Sequence, residues 1–204
     1  VSGKNWTNVG LLKAENGGVL ELAGTFTQSG LGTYDATGGT VNISGTLDNT
    51  GASLVLSAAT GSLSLSGTIK GGTITGGGGA QLIAKGGTLD GAVLNADVTI
   101  GNGQSLHVMN GLVLNGVVTL ATTGSYTYLY FDGTQTLSGT GQIVFGGTYS
   151  YNYVRANGGS SSTPATLTIG SGITDSRSQG GEVRGNYSND TLLNDGPINA
   201  NTSG

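Results

Sequence analysis

Leu20-Glu-Leu-Ala-Gly-Thr-Phe26, Val41-Asn-Ile-Ser-Gly-Thr-Leu47 and Leu63-Ser-Leu-Ser-Gly-Thr-Ile69 are one phrase written three times, and Ile83-Ala-Lys-Gly-Gly-Thr-Leu89 repeats it more loosely. Their threonines, Thr25, Thr46, Thr68 and Thr88, follow one another at nearly equal intervals. Apolar residues at positions 1 and 3 of each phrase fall on one side of an extended strand, and the glycine that follows turns the chain. A strand and turn recurring at this interval describe one coil of a solenoid, in which equivalent strands stack in register.

Working outward, the same alternation recurs in Ser53–Ser57, Thr73–Thr75, Asp97–Ile100, Leu106–Met109, Val117–Leu120, Leu129–Phe131, Ile143–Phe145 and Leu167–Ile169. No stretch of useful length shows a 3.6-residue period, so the chain should be all-β with almost no helix. At about 22 residues per coil it holds roughly nine coils, a rod roughly 45 Å long at the strand spacing. Residues 157–164 and 175–189 break the alternation and read as projecting loops. The far end, from Leu193, echoes Thr7–Gly18, and neither end carries a polar cap. Residues 1–204 therefore read as a single solenoid segment, one repeat of a longer array, joined to copies of itself or to adjacent repeats end to end.

Composition narrows the function. Only 9% of the 204 residues are charged, against roughly a quarter in ordinary domains, and 41 are glycine. Hydrophobic residues still make up 35%, and the net charge is only −4, so the chain has what an ordered core needs. With no cysteine, disulfides, thiolate metal sites and cysteine nucleophiles are all excluded. Seven Lys and Arg spread along an acidic chain do not make a phosphate-backbone binder, so no nucleic-acid partner is expected. No apolar run is long enough for a membrane span. The calcium nonapeptide of β-rolls is missing, and no cofactor is implied.

The sequence resembles very large bacterial surface proteins of the adhesin and haemagglutinin kind, whose tandem units carry similar phrases. Here those phrases are Asn5–Gly18, Gly38–Gly51, Gly86–Asp97 and Gly133–Gly147. The resemblance covers nearly the whole chain. It implies a right-handed parallel β-helix, repeated end to end and displayed outside the cell or on its surface, with no catalytic residues to carry over.

Among the residues that bear chemistry, Asp48, Lys70 and Asp90 each stand two places after an aligned Thr, and should form a ladder of alternating charge. His107, between the inward Leu106 and Val108, faces outward with no partner for a metal site or a triad, solvated or stacked in a ladder. Tyr126, Tyr128 and Tyr130 alternate along one strand, and Tyr149, Tyr151 and Tyr153 repeat the spacing about one coil later. With Leu129 and Phe131 inward, six rings are expected side by side on the outside, a contact surface for cell-surface or matrix polysaccharide or for protein. Arg155, Arg177 and Arg184 would rim it.

Three functions are open on this basis. The first is a structural repeat of an extracellular β-solenoid serving as adhesin shaft, stalk or filament subunit. The second is a carbohydrate-binding module using the tyrosines. The third is a polysaccharide-degrading enzyme, which needs carboxylates clustered with Arg or Lys in one groove. Neither Asp190 with Asp195 nor Glu15 with Glu21 has a basic partner at a useful spacing, and the expectation is a non-enzymatic protein.

Overall fold

The chain winds into a parallel β-solenoid of about eight turns. The computed structural model describes residues 1–200; residues 201–204 and the side chains of Arg177, Asn199 and Ala200 lie outside that description, and with them the last part of the terminal echo. Each turn carries up to three short strands, which stack on their equivalents in neighbouring turns as three faces. The first face holds nine strands, from Val19–Leu22 at one end to Ile198–Ala200 at the other. The second holds eight, from Thr25–Thr27 to Gly181–Gly185. The third runs from Ser53–Leu56 through the second halves of Thr88–Asn95 and Ser105–Leu114 to Thr191–Asn194. Leu11–Lys13 and Thr33–Asp35 pair separately near the first end. One four-residue helix, Gln28–Leu31, interrupts the pattern, with the Thr27 hydroxyl accepting from Gly30 N at its start.

The repeated phrase explains the geometry of one corner. Its apolar pair belongs to the first face and its threonine to the second, and the intervening glycine makes the turn. Leu22 and Ile43 are partners across one rung, and Thr25, Thr46, Thr68 and Thr88 form one outward column on the second face. The glycine is forced by the stacking. A Cβ on Gly45 would lie 2.2 Å from the Gly24 carbonyl oxygen, and one on Gly67 would lie 2.0 Å from that of Gly45. The turns touch backbone to backbone, and no side chain fits between them.

The fourth phrase departs from the expected register. Leu82 and Ala84 point inward and are fully buried, while Ile83 and Lys85 point out. Leu82 pairs with Leu63, yet Thr88 still pairs with Thr68, so this corner holds one extra residue. A one-residue slip exchanges the two sides of a strand, and only Leu82 restores an apolar column.

That column, Leu20, Val41, Leu63, Leu82, Val98, Val118 and Ile143, runs through the core and then reaches a charged residue, Asp175, which is also buried. Phe26, Phe131 and Phe145 are the largest of the buried side chains in this core. At the first end Trp6 lies on Phe26 with ring centroids 4.3 Å apart and donates Nε1 to the Ala23 carbonyl at 2.8 Å. Asn49, wholly buried at the corner between the second and third faces, donates to the Gly71 and Thr73 carbonyls of the next turn.

The loop expected at 157–164 is present beyond Asn157, closed on itself between Ser160 and Thr163. The stretch 175–189 is different: Thr174–Arg177 and Gly181–Gly185 are strands of the first and second faces. Glycine and polar residues hide the alternation there. The turn that carries the loop is also longer than its neighbours, with Arg155 pairing as far along the chain as Arg184.

Candidate functional site on the second face

The second face changes character half-way along. Its outward column of threonines continues as His107, Tyr130, Arg155 and Arg184. The adjoining column holds Ser105, Tyr128, Tyr153 and Glu182. The other adjoining column, which contains Asp132 and Asn157, continues the line of Asp48, Lys70 and Asp90. An outward sheet position recurs once per turn, so similar side chains stack into rows and the sequence of one turn is read directly against the next.

The tyrosines come together here, with a register other than the one their spacing suggests. Equal spacing would set Tyr128 beside Tyr151 and Tyr130 beside Tyr153; instead Tyr128 pairs with Tyr153 and Tyr130 with Arg155. The turn takes up the difference, which displaces the second trio by one outward side-chain position. Tyr128 stacks on Tyr153 at 5.2 Å between centroids and on Tyr130 at 5.0 Å, and Tyr130 stacks on His107 at 4.9 Å. Tyr126 meets Tyr151 at 5.0 Å and Tyr153 at 5.6 Å in tilted contacts, and Tyr149 lies 6.0 Å from Tyr151. Leu129 and Phe131 face the core, as the alternation requires. Tyr126, Tyr149 and Tyr151 are exposed, and Tyr128, Tyr130 and Tyr153 are half-buried by one another.

Buried polar anchors shape the corners that carry the outer rings. Asn152, with no exposed surface, donates Nδ2 to the carbonyls of Gly146, Tyr149 and Gly180. Those bonds tie down the loop bearing Tyr149 and Tyr151. In the turn before it, Asn102 Oδ1 accepts from Thr123 N at 2.7 Å and Ser125 N at 2.8 Å, and Thr122 Oγ1 donates to the Ser125 carbonyl at 2.6 Å. Tyr126 is held beside that clasp.

Charge is interleaved with the rings. Arg155 is only 3% exposed, and its guanidinium carbon lies 4.4 Å from the Tyr153 ring centroid. Its Nη2 donates to Glu182 Oε2 at 3.0 Å, and Arg184 Nε reaches the same oxygen at 2.8 Å. Burial lowers the Arg155 pKa, opposed by the Glu182 hydrogen bond, and the Glu182 carboxyl is held below its usual value, first by that bond. Burial raises the phenols of Tyr130 and Tyr153.

His107 faces outward and stacks in the ladder on Tyr130, and it also meets a carboxylate. Asp132 Oδ2 lies 2.8 Å from its Nδ1, which places the ring proton there because a carboxylate only accepts. Asn157 Nδ2 donates to the other oxygen at 2.6 Å, and Asn186 Nδ2 donates to Asn157 Oδ1 at 3.0 Å. Burial pushes the Asp132 pKa up, but the His107 and Asn157 hydrogen bonds outweigh it and leave it lowered.

The remaining candidates are arranged more loosely. Lys70 stands in register between Asp48 and Asp90, but among the described residues it forms no ion pair within 4 Å with either. Asp48 instead accepts from Thr50 N, and Asp90 from Asn110 Nδ2 at 2.6 Å. Arg177 belongs to a first-face strand rather than to the rim of the tyrosines. Glu15 pairs with Lys13, and Glu21 accepts from Asn42 Nδ2 at 2.8 Å. A groove of about 830 Å³ on the first face is floored by Glu21, Thr40, Asn42, Ser64 and Lys85. Glu21 and Lys85 are three rungs apart there, about 14 Å at the strand spacing, so the groove brings no opposite charges together.

Asp132, Glu182 and Asn157 are the residues the sequence reading did not single out. Asp132 carried a usable signal, since it follows Tyr130 by two places as Asp48 follows Thr46. Comparison of the chain with protein-family models, with curated proteins and with solved structures gives no match.

Proposed function

We propose that the chain is a structural repeat of an extracellular β-solenoid, a stiff shaft or filament element of a cell surface, that associates with copies of itself or adjacent repeats end to end. One observation carries this reading: the parallel ladders run through about eight turns with apolar columns stacked along most of their length, while the side chains displayed on the outside change from turn to turn. A rung leaves its edge ready for another rung, so stacking of units continues the contacts already made within one. Low charge and short outward Ser, Thr, Val and Asn side chains leave room for side-by-side packing. Antibody raised against the chain should label fibres on intact source cells in electron micrographs. Label confined to the cell interior would refute the surface assignment.

A second reading, that the shaft also binds carbohydrate, is favoured by the second face, where six tyrosines, His107 and Arg184 form one outward surface over the buried Arg155. The same surface gathers Glu182 with Arg155 and Arg184, the charge combination a degrading enzyme requires. Glu182 is bound to both guanidiniums and Asp132 to His107 and Asn157, an arrangement suited to holding a surface in shape, and we assign it no turnover.

A further inference from the structure

We propose that the tyrosine face recognises an acidic polysaccharide, one whose sugars carry carboxylates, rather than a neutral one. This rests on the carbohydrate-binding reading above and specifies its ligand. The first argument is the orientation of the rings. Interplanar angles of 14° between Tyr128 and Tyr130, 25° between Tyr128 and Tyr153 and 24° between Tyr130 and His107 show rings stacked against one another. The faces of Tyr128 and Tyr130 are used up within the row, and their edges and hydroxyls are left for a ligand. Ring edges carry the positive part of the aromatic quadrupole, and a phenol donates, so this row suits an acceptor.

The second argument counts committed groups. Both carboxylates of the face are engaged by the protein: Glu182 by Arg155 and Arg184, Asp132 by His107 and Asn157. The uncommitted groups are donors. Arg184 uses Nε for Glu182 and is 65% exposed at its side chain, which leaves the Nη pair of its fork turned to solvent and without a partner among the described residues. A guanidinium fork matches a carboxylate in two hydrogen bonds. Arg155 Nη1 is buried with no hydrogen-bond partner, so Arg155 adds positive charge beneath the rings rather than a donor open to a ligand. A chain of net charge −4 has thus concentrated two of its seven cationic side chains beside its aromatic row. A polymer laid across the strands, along the solenoid axis, would meet phenols first and Arg184 one rung beyond Tyr153.

The test compares the whole chain with two polymer probes, polygalacturonate and uncharged dextran, by affinity electrophoresis at low and high salt. Binding to polygalacturonate and not to dextran is expected, weakened by salt. Arg184→Gln should lower that affinity about tenfold, the loss of a charge-assisted pair, and should leave the far-UV spectrum unchanged because the residue is exposed. Tyr126→Ala should weaken it as well. Equal retention by both polymers, or an Arg184→Gln variant that binds polygalacturonate as the parent does, overturns the acidic specificity while the contact surface stands if Tyr126→Ala still weakens binding. Retention by neither polymer overturns both.

Discussion

Gly67 and Gly77 lie close together in the chain, and the same substitution should act on them in opposite directions. An alanine Cβ at 67 would sit 2.0 Å from the Gly45 carbonyl oxygen, 2.6 Å from the Ser44 carbonyl carbon and 2.7 Å from its oxygen. All three are backbone atoms of the turn below, so no rotamer change relieves the overlap. Relief requires the two turns to part by about 1 Å to reach ordinary contact. That movement breaks the Gly67 N to Ile43 O and Thr68 N to Gly45 O hydrogen bonds, each 2.8 Å. Two ladder bonds at about 1 kcal/mol each, with overpacking of about 1–3 kcal/mol, put Gly67→Ala near about 4 kcal/mol. At Gly77 a Cβ meets nothing within 4 Å and the backbone is not left-handed. Gly77→Ala should therefore stabilise by about 0.5 kcal/mol through the unfolded chain. Urea unfolding followed by Trp6 fluorescence and circular dichroism would read both. With a slope of about 2 kcal/mol per molar, the first variant should shift its midpoint down by more than about 1 M. A Gly67→Ala midpoint equal to that of the parent would refute the close stacking of the turns, and with it the register.

Three further outcomes follow from the same geometry. Asn152→Ala should cost about 2 kcal/mol, because it leaves the Gly146, Tyr149 and Gly180 carbonyls unbonded, and should make the 148–151 loop more sensitive to proteolysis; equal protease lifetimes would remove the anchor role. The Asp190 carboxylate accepts from the backbone N–H groups of Gly158, Ala165 and Tyr187, and those bonds outweigh burial to lower its pKa. A lowered carboxylate stabilises the fold fully above its ordinary value of 3.8 and loses that contribution as pH falls through the lowered value. Asp190→Asn should thus reduce the acid sensitivity of thermal stability below about pH 4, and an unchanged pH profile would contradict this. Polygalacturonate and other polysaccharides incubated with the chain should keep their length on size-exclusion chromatography, and any shortening that Glu182→Gln abolishes would establish the enzymatic alternative.

The fold was legible because a solenoid repeats its instructions. Gly45 and Gly67 appear at the same place in their phrases because the same backbone approach recurs, and Thr46 and Thr68 mark the same column. The register was legible only where turns keep their length. It failed at Ile83, where one extra corner residue sends Leu82 inward, and at the tyrosines, where a longer turn sets Tyr153 rather than Tyr151 beside Tyr128. Turn length is a property of corners, whose glycines and serines carry little periodicity. The composition of the site was therefore foreseeable while its pairings were not. Tyr128 and Tyr130 could be placed outside from Leu129 and Phe131 alone, but the contact of Arg155 with Glu182 spans 27 residues and a strand hidden in a glycine-rich stretch. The carboxylate beside His107 was not foreseen because Asp132 lies 25 residues away in the next turn.

Cryo-electron microscopy of the native material tests the structural account most directly. The account predicts fibres with rungs spaced about 4.8 Å along the axis and a longer axial repeat of about 40 Å, the length of about eight turns. Fibres without the rung spacing, or the chain recovered only as dispersed single particles, would contradict it.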